Sequence, residues 1–157
     1  MDNKLNQSMR EWLKSKLFYN GVAATFTHKQ NLLFLDNTVV ERNFRYFKNV
    51  LNKKIFGNAY KRFGKQLKML VVREETIGRG LHLHTIIEKP TNILLQRFID
   101  LIRYCWNKTL FSHTEVDIQQ PPTKIKVEGW FRYIMKNKSK IDLCDSIDLE
   151  NSSCLQY

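Results

Sequence analysis

His82, Leu83 and His84 fall within the run Leu81 to Glu88, whose β-branched and apolar residues lack a helical period and predict a strand. Side chains alternate between the faces of a strand, so both imidazoles project to one side and Leu83 to the other. Two imidazoles at that spacing can share one cation. A third donor is available in Glu74 or Glu75, because Leu67 to Glu74 predicts a second strand, and Gly78 and Gly80 predict a turn between the two. The resulting antiparallel hairpin folds the carboxylates back beside the histidines. A shared Leu70, Val72, Glu74 face favours Glu74, while a bulge at the turn would exchange its role with Glu75. One carboxylate with two imidazoles and no thiolate suits a divalent ion such as Mn²⁺ or Mg²⁺ rather than a structural zinc.

The second group of interest is Tyr133 with Lys136, on a short helix predicted over Val127 to Lys138. At 100° per residue, Ile134, Met135 and Lys138 fall within about 60° of Phe131, whereas Tyr133 and Lys136 lie about 160° and 140° of arc away. One face is apolar and suited to a core. The other offers a phenol, an ammonium one turn on, and Gly129 one turn before, where no side chain crowds the ring. A phenol is mostly protonated at neutral pH, so a nearby cation that stabilises the phenolate makes it a nucleophile, and a metal can neutralise the phosphate it attacks.

The remaining elements must position these groups. Ser8 with Glu11 has capping-box spacing and opens a short helix through Trp12, Leu13 and Leu17. Gly21 to Thr27 reads as a first strand. A second capping box, Thr38 with Glu41, starts a helix in which Val40, Phe44, Phe47, Leu51 and Ile55 recur until Gly57 stops it. Asn58 to Gln66 is basic without period and reads as a loop or an extension that could touch a polyanionic backbone. After Pro90, apolar residues from Leu94 to Trp106 predict another long helix, and Thr114 to Gln119 alternates as a strand, with Val116 and Ile118 on one side, ended by Pro121-Pro122. The order predicts an α+β layer: helices packed on a mainly antiparallel sheet.

A chain of 157 residues fits one domain, here residues 1–140, followed by an acidic, loosely ordered tail over 141–157. Neither a spanning apolar run nor a secretory leader is evident, so a soluble, cytoplasmic protein is expected. The odd count of three cysteines argues against a disulfide framework, and Cys105, among apolar residues, reads as a buried core thiol. The net charge is +11, and because the tail holds four acids and no Lys or Arg, residues 1–140 set 26 basic against 11 acidic side chains. That excess favours a polyanion over a membrane, which would want the charge on one face of an amphipathic helix.

Taken together, Val72 to His84, with its acidic residue, glycine-containing turn and His-hydrophobic-His triplet, and Tyr133-Ile134-Met135-Lys136 as a Tyr-x-x-Lys motif resemble the HUH endonucleases. The likeness is to the single-tyrosine initiators of rolling-circle replication in phages, plasmids and single-stranded DNA viruses. It covers about Gly21 to Lys138, with Ala24-Thr25-Phe26-Thr27 as the first, strand-borne motif. The resemblance implies that Glu74, His82 and His84 hold the metal and that Tyr133 attacks a scissile phosphate of single-stranded DNA. A 5′-phosphotyrosine and a free 3′-hydroxyl result, Lys136 helping to orient the phosphate or the tyrosine. Thr25, Thr27, Lys124 and Lys126 become candidate DNA contacts, and Trp130, Phe131 or Tyr104 candidate platforms for unstacked bases; Trp130 is the best placed, with a core role as its alternative.

No second tyrosine lies near Tyr133 in that helix, and no Gly-x-x-x-x-Gly-Lys-Ser/Thr loop occurs, so a separate helicase and a polymerase are expected partners at an origin hairpin. Two alternatives remain: a single-tyrosine transposase of the same superfamily, against which Lys136 in place of an amide argues, and a non-catalytic nucleic-acid-binding domain.

Overall fold

In the computed structural model, residues 2–29, 35–119, 124–136 and 143–156 are described. The first helix, α1 (Asp2–Ser15), begins a turn and a half before Ser8, which is exposed in mid-helix and is not its cap. The apolar spacing Met9, Leu13, Leu17 continues the pattern begun by Leu5, and Gln7 Nε2 donates to Glu11 Oε1 one turn on at 3.2 Å. Strand β1 (Gly21–His28) follows.

Helix α2 (Asn37–Phe56) is capped by Asp36, whose carboxylate accepts the Val39 N–H at 2.8 Å. The expected Thr38–Glu41 box does not form. A carboxylate is a stronger acceptor at the positive end of a helix, and Glu41 is engaged by Arg45 at 2.6 Å. Gly57 ends the helix as its position suggested, donating to Lys53 O at 2.8 Å. Where a loop was expected, a helix α3 (Asn58–Phe63) forms and stops at Gly64 in the left-handed region. It buries no residue, which is why no apolar period marks it.

Strands β2 (Met69–Thr76) and β3 (Gly80–Glu88) make the expected hairpin, closed by Ile77, Gly78 and Arg79, with Gly78 and Gly80 at φ 95° and 64°. Helix α4 (Leu95–Asn107) and strand β4 (Ser112–Gln119) follow the predicted order, and α5 (Lys124–Ile134) carries the tyrosine. Pro121, Pro122 and Lys138 lie outside the described residues.

The four strands form one antiparallel sheet in the order β2-β3-β1-β4, so the fold is α+β with helices on a central sheet. One face carries Val22, Ala24, Phe26, Val71, Leu83 and Ile87 against Phe44, Phe47, Phe98 and Trp106 of α2 and α4; Cys105 is buried there. The other carries Leu70, Val72 and Ile86 against Leu13 of α1 and Val127, Phe131 and Ile134 of α5. Burial of these apolar faces supplies the main driving force for the arrangement.

The tail departs from expectation. Its residues 143–156 include a short helix α6 (Leu143–Ser146) and a 3-10 turn (Ser153–Leu155), and they cover the outer edge of β2. Ile147 bridges Val72, Asp148 N–H donates to Val71 O at 3.0 Å, and Ser152 and Ser153 hydroxyls accept from Val71 and Met69 N–H at 3.0 and 2.9 Å. An open strand edge demands such partners, and these serines supply them without any hydrophobic signal in the sequence. Among the described residues, no helix is long and apolar enough to cross a membrane.

Candidate metal centre and adjacent tyrosine

The hairpin register brings the three proposed ligands together. Glu74 lies directly opposite His82, and Val72 opposite His84, so Glu74, His82 and His84 share the α5 face of the sheet. Glu75 pairs with Leu81, points to the other face and is exposed. The three-residue turn sets this register and thereby selects Glu74. Glu74 Oε2 is 2.5 Å from His84 Nε2 and 3.3 Å from His82 Nε2, and all three side chains are 8% exposed or less.

Both imidazoles are oriented from behind. His82 Nδ1–H donates to Gly80 O at 3.1 Å, which turns Nε2 toward Glu74. His84 Nδ1 is 3.1 Å from Thr25 Oγ1, its cross-strand partner on β1. Outer contacts of this kind fix the ring orientation of metal-binding histidines. One carboxylate oxygen and two imidazole nitrogens, within 4.8 Å of one another, form a donor set that fits a divalent cation.

Helix α5 closes one side of this centre. Its apolar face is as expected, with Phe131, Ile134 and Met135 buried, while Tyr133 is 45% exposed. The Tyr133 ring meets His84 edge-on at 5.6 Å between centroids and 86° between planes. Trp130 stacks on Tyr133 at 5.2 Å and 22°, and also meets His84 edge-on at 5.8 Å. Trp130 Nε1–H donates to Thr85 O at 3.2 Å, anchoring α5 to β3. Trp130 is thus both half-buried scaffold and cleft wall. Lys136 lies just past the helix and folds back, its Nζ 3.8 Å from the centroid of the Tyr133 ring, a cation–π contact. A Cβ added at Gly129 would meet nothing within 4 Å, so the approach to the phenol is open.

Beside Tyr133 a cleft of about 520 Å³ is bordered by Thr25, Arg79, His84, Asp117, Lys126 and Trp130. A neighbouring hollow of about 420 Å³ continues past Thr27 and His28. Thr25, Thr27, Lys126 and Trp130 are therefore at or beside the site. Lys124 lies in α5, but its side chain is outside those described. Phe131 is buried in the core, and Tyr104 sits on α4 under Lys54 and Lys108, on the opposite layer. Neither reaches the cleft.

Three cleft residues were not singled out from sequence. Arg79 lies in the turn of the hairpin motif, and Asp117 and Gln119 are the polar partners of the Val116/Ile118 alternation, a signal that marks a solvent-facing side of a strand without saying what faces it. His28, deeper in the same region, is 1% exposed and meets Trp106 edge-on at 5.1 Å; burial drives its pKa down to about 4.

Compared with protein-family models, with curated proteins and with solved structures, the chain matches none. The functional reading rests on the site itself.

Proposed function

We propose that this chain is a metal-dependent endonuclease and strand transferase acting on single-stranded DNA, with Tyr133 as nucleophile, and that it initiates rolling-circle replication at an origin hairpin. One observation carries the reading: an exposed tyrosine packs directly against His84, a member of a buried Glu-His-His donor set, at the mouth of an open cleft. A buried tyrosine would be scaffold; this one is reachable by a phosphate.

Glu74, His82 and His84 would hold Mn²⁺ or Mg²⁺ and, when bound, the ion would neutralise charge on the phosphate. The chain's own residues do the rest. Tyr133 Oη forms a bond to phosphorus while the bond to the 3′ oxygen breaks; the phenol loses its proton to solvent, and the 3′ oxygen leaves as a hydroxyl after taking one up. The DNA remains attached by a 5′-phosphotyrosine. Because one phosphodiester replaces another, the link conserves the energy needed for the 3′-hydroxyl to reverse the step and rejoin the strand. Trp130 and Lys136 hold the Tyr133 ring from two sides, and Lys136 brings positive charge to the place where the phosphate must approach. The overall charge of +11 fits a polyanionic substrate. Duplex unwinding and extension of the 3′ end would fall to a separate helicase and polymerase.

The test is a denaturation-resistant adduct formed on a single-stranded hairpin oligonucleotide in Mn²⁺, lost in Tyr133→Phe. Nicking of one origin hairpin, rather than excision between two paired hairpins, distinguishes initiation from transposition.

A further inference from the structure

The cleft beside Tyr133 holds a group that phosphate binding does not explain. Thr25 pairs with His84 on one side and Asp117 on the other, so a triad histidine, the threonine and an exposed carboxylate lie in one row across β3, β1 and β4. At the usual spacing of strands, His84 and Asp117 are roughly 10 Å apart, about the span of one nucleotide and its phosphate. In the next row Gln119 stands beside Ala23, whose small side chain leaves depth in the floor, and Trp130 and Tyr133 form the opposing wall.

A carboxylate facing a cleft for a polyanion repels each phosphate it nears, and among the described residues no cation forms an ion pair with Asp117. An ionised carboxylate only accepts hydrogen bonds. The partners it can take from single-stranded DNA are base N–H groups. Thymine offers a single ring N–H, and adenine and cytosine an exocyclic amine each. Guanine presents N1–H and N2–H side by side, spaced to meet both carboxylate oxygens. Those donors lie on the Watson–Crick edge and are accessible only when the base is unpaired.

We propose that Asp117 selects an unpaired guanine at a fixed position next to the phosphate that Tyr133 attacks, the base lying along the Trp130 wall with Gln119 beside it. The base preference stands on the cleft alone; its place beside a scissile phosphate rests on the strand-transfer reading. A bidentate contact of this type gives on the order of tenfold discrimination.

The experiment selects from a random single-stranded DNA library with Tyr133→Phe protein, so that binding is read without cleavage, and repeats the selection with Asp117→Asn added. Guanine should be enriched on the order of tenfold at one position and fall to about twofold or less with the second substitution. A readout without the second substitution uses the selected oligonucleotide with inosine in place of that guanine. Loss of the 2-amino group should weaken binding, whereas 7-deazaguanine should bind unchanged. Sensitivity to 7-deazaguanine would transfer the readout to Arg79 on the N7/O6 edge and overturn the assignment, as would guanine enrichment that survives Asp117→Asn, or none at all. A native protein that binds the selected pool yet forms no covalent adduct contradicts the strand-transfer reading and leaves the base assignment standing.

Discussion

Thr25 Oγ1 lies 3.1 Å from His84 Nδ1, and this contact between two central strands decides which nitrogen of His84 faces Glu74. The hydroxyl can donate or accept, so it serves His84 whether Nδ1 is bare or protonated. Thr25→Val keeps the shape of the side chain and removes that partner. Affinity for Mn²⁺, measured by titration calorimetry, should fall about 10- to 100-fold, in line with the loss of an outer contact to a metal-binding histidine, while the fold is retained.

Metal should stabilise the folded chain, since the donors converge only when the hairpin is in register. At Mn²⁺ a hundredfold above its dissociation constant, linkage adds about 2.7 kcal/mol, or roughly 5–10 °C in Tm for a chain of this size. His82→Ala with His84→Ala should abolish the shift and the cleavage but leave most single-stranded DNA affinity, because phosphate contacts dominate binding. Parallel loss of DNA affinity would contradict that division.

The hairpin and its ligands were legible because two simple periodicities, alternation along a strand and the turn glycines, fix which side chains share a face. The α5 face was legible for the same reason, Phe131 and Tyr133 falling on opposite arcs. What the sequence hid has a common physical cause. Helix α3 has no buried side, Asp36 competes with Thr38 for one cap, and Ser152 and Ser153 act through hydroxyls on a strand edge, none of which leaves an apolar pattern. Asp117 and Gln119 became site residues only once the order β3-β1-β4 placed them in line with His84.

His28 makes stability depend on pH. Burial lowers its pKa from 6.5 to about 4, so the unfolded chain binds its proton more readily than the folded one. Its contribution is therefore complete above pH 6.5 and declines as the pH falls from 6.5 toward 4, by up to about 3 kcal/mol across that window. Urea denaturation of the native protein and His28→Gln at pH 7.5 and pH 5 measures this: the gap in stability between the two proteins should shrink on acidification. A constant gap would contradict the assignment.

Lys136 should act on Tyr133 more than on DNA affinity. Lys136→Met removes the ammonium above the ring and should slow nicking roughly tenfold or more, and Lys136→Arg should restore most of the rate. Binding should change little, the salt dependence of log K losing about one phosphate contact.

The central claim is that Tyr133 becomes covalently attached to DNA. Protein incubated with single-stranded hairpin oligonucleotides in Mn²⁺, denatured, digested with nuclease and protease and sequenced by mass spectrometry should yield one nucleotide-bearing peptide, with the 5′-phosphate on Tyr133. An adduct mapped to another residue, or cleavage with no covalent intermediate, would contradict the account.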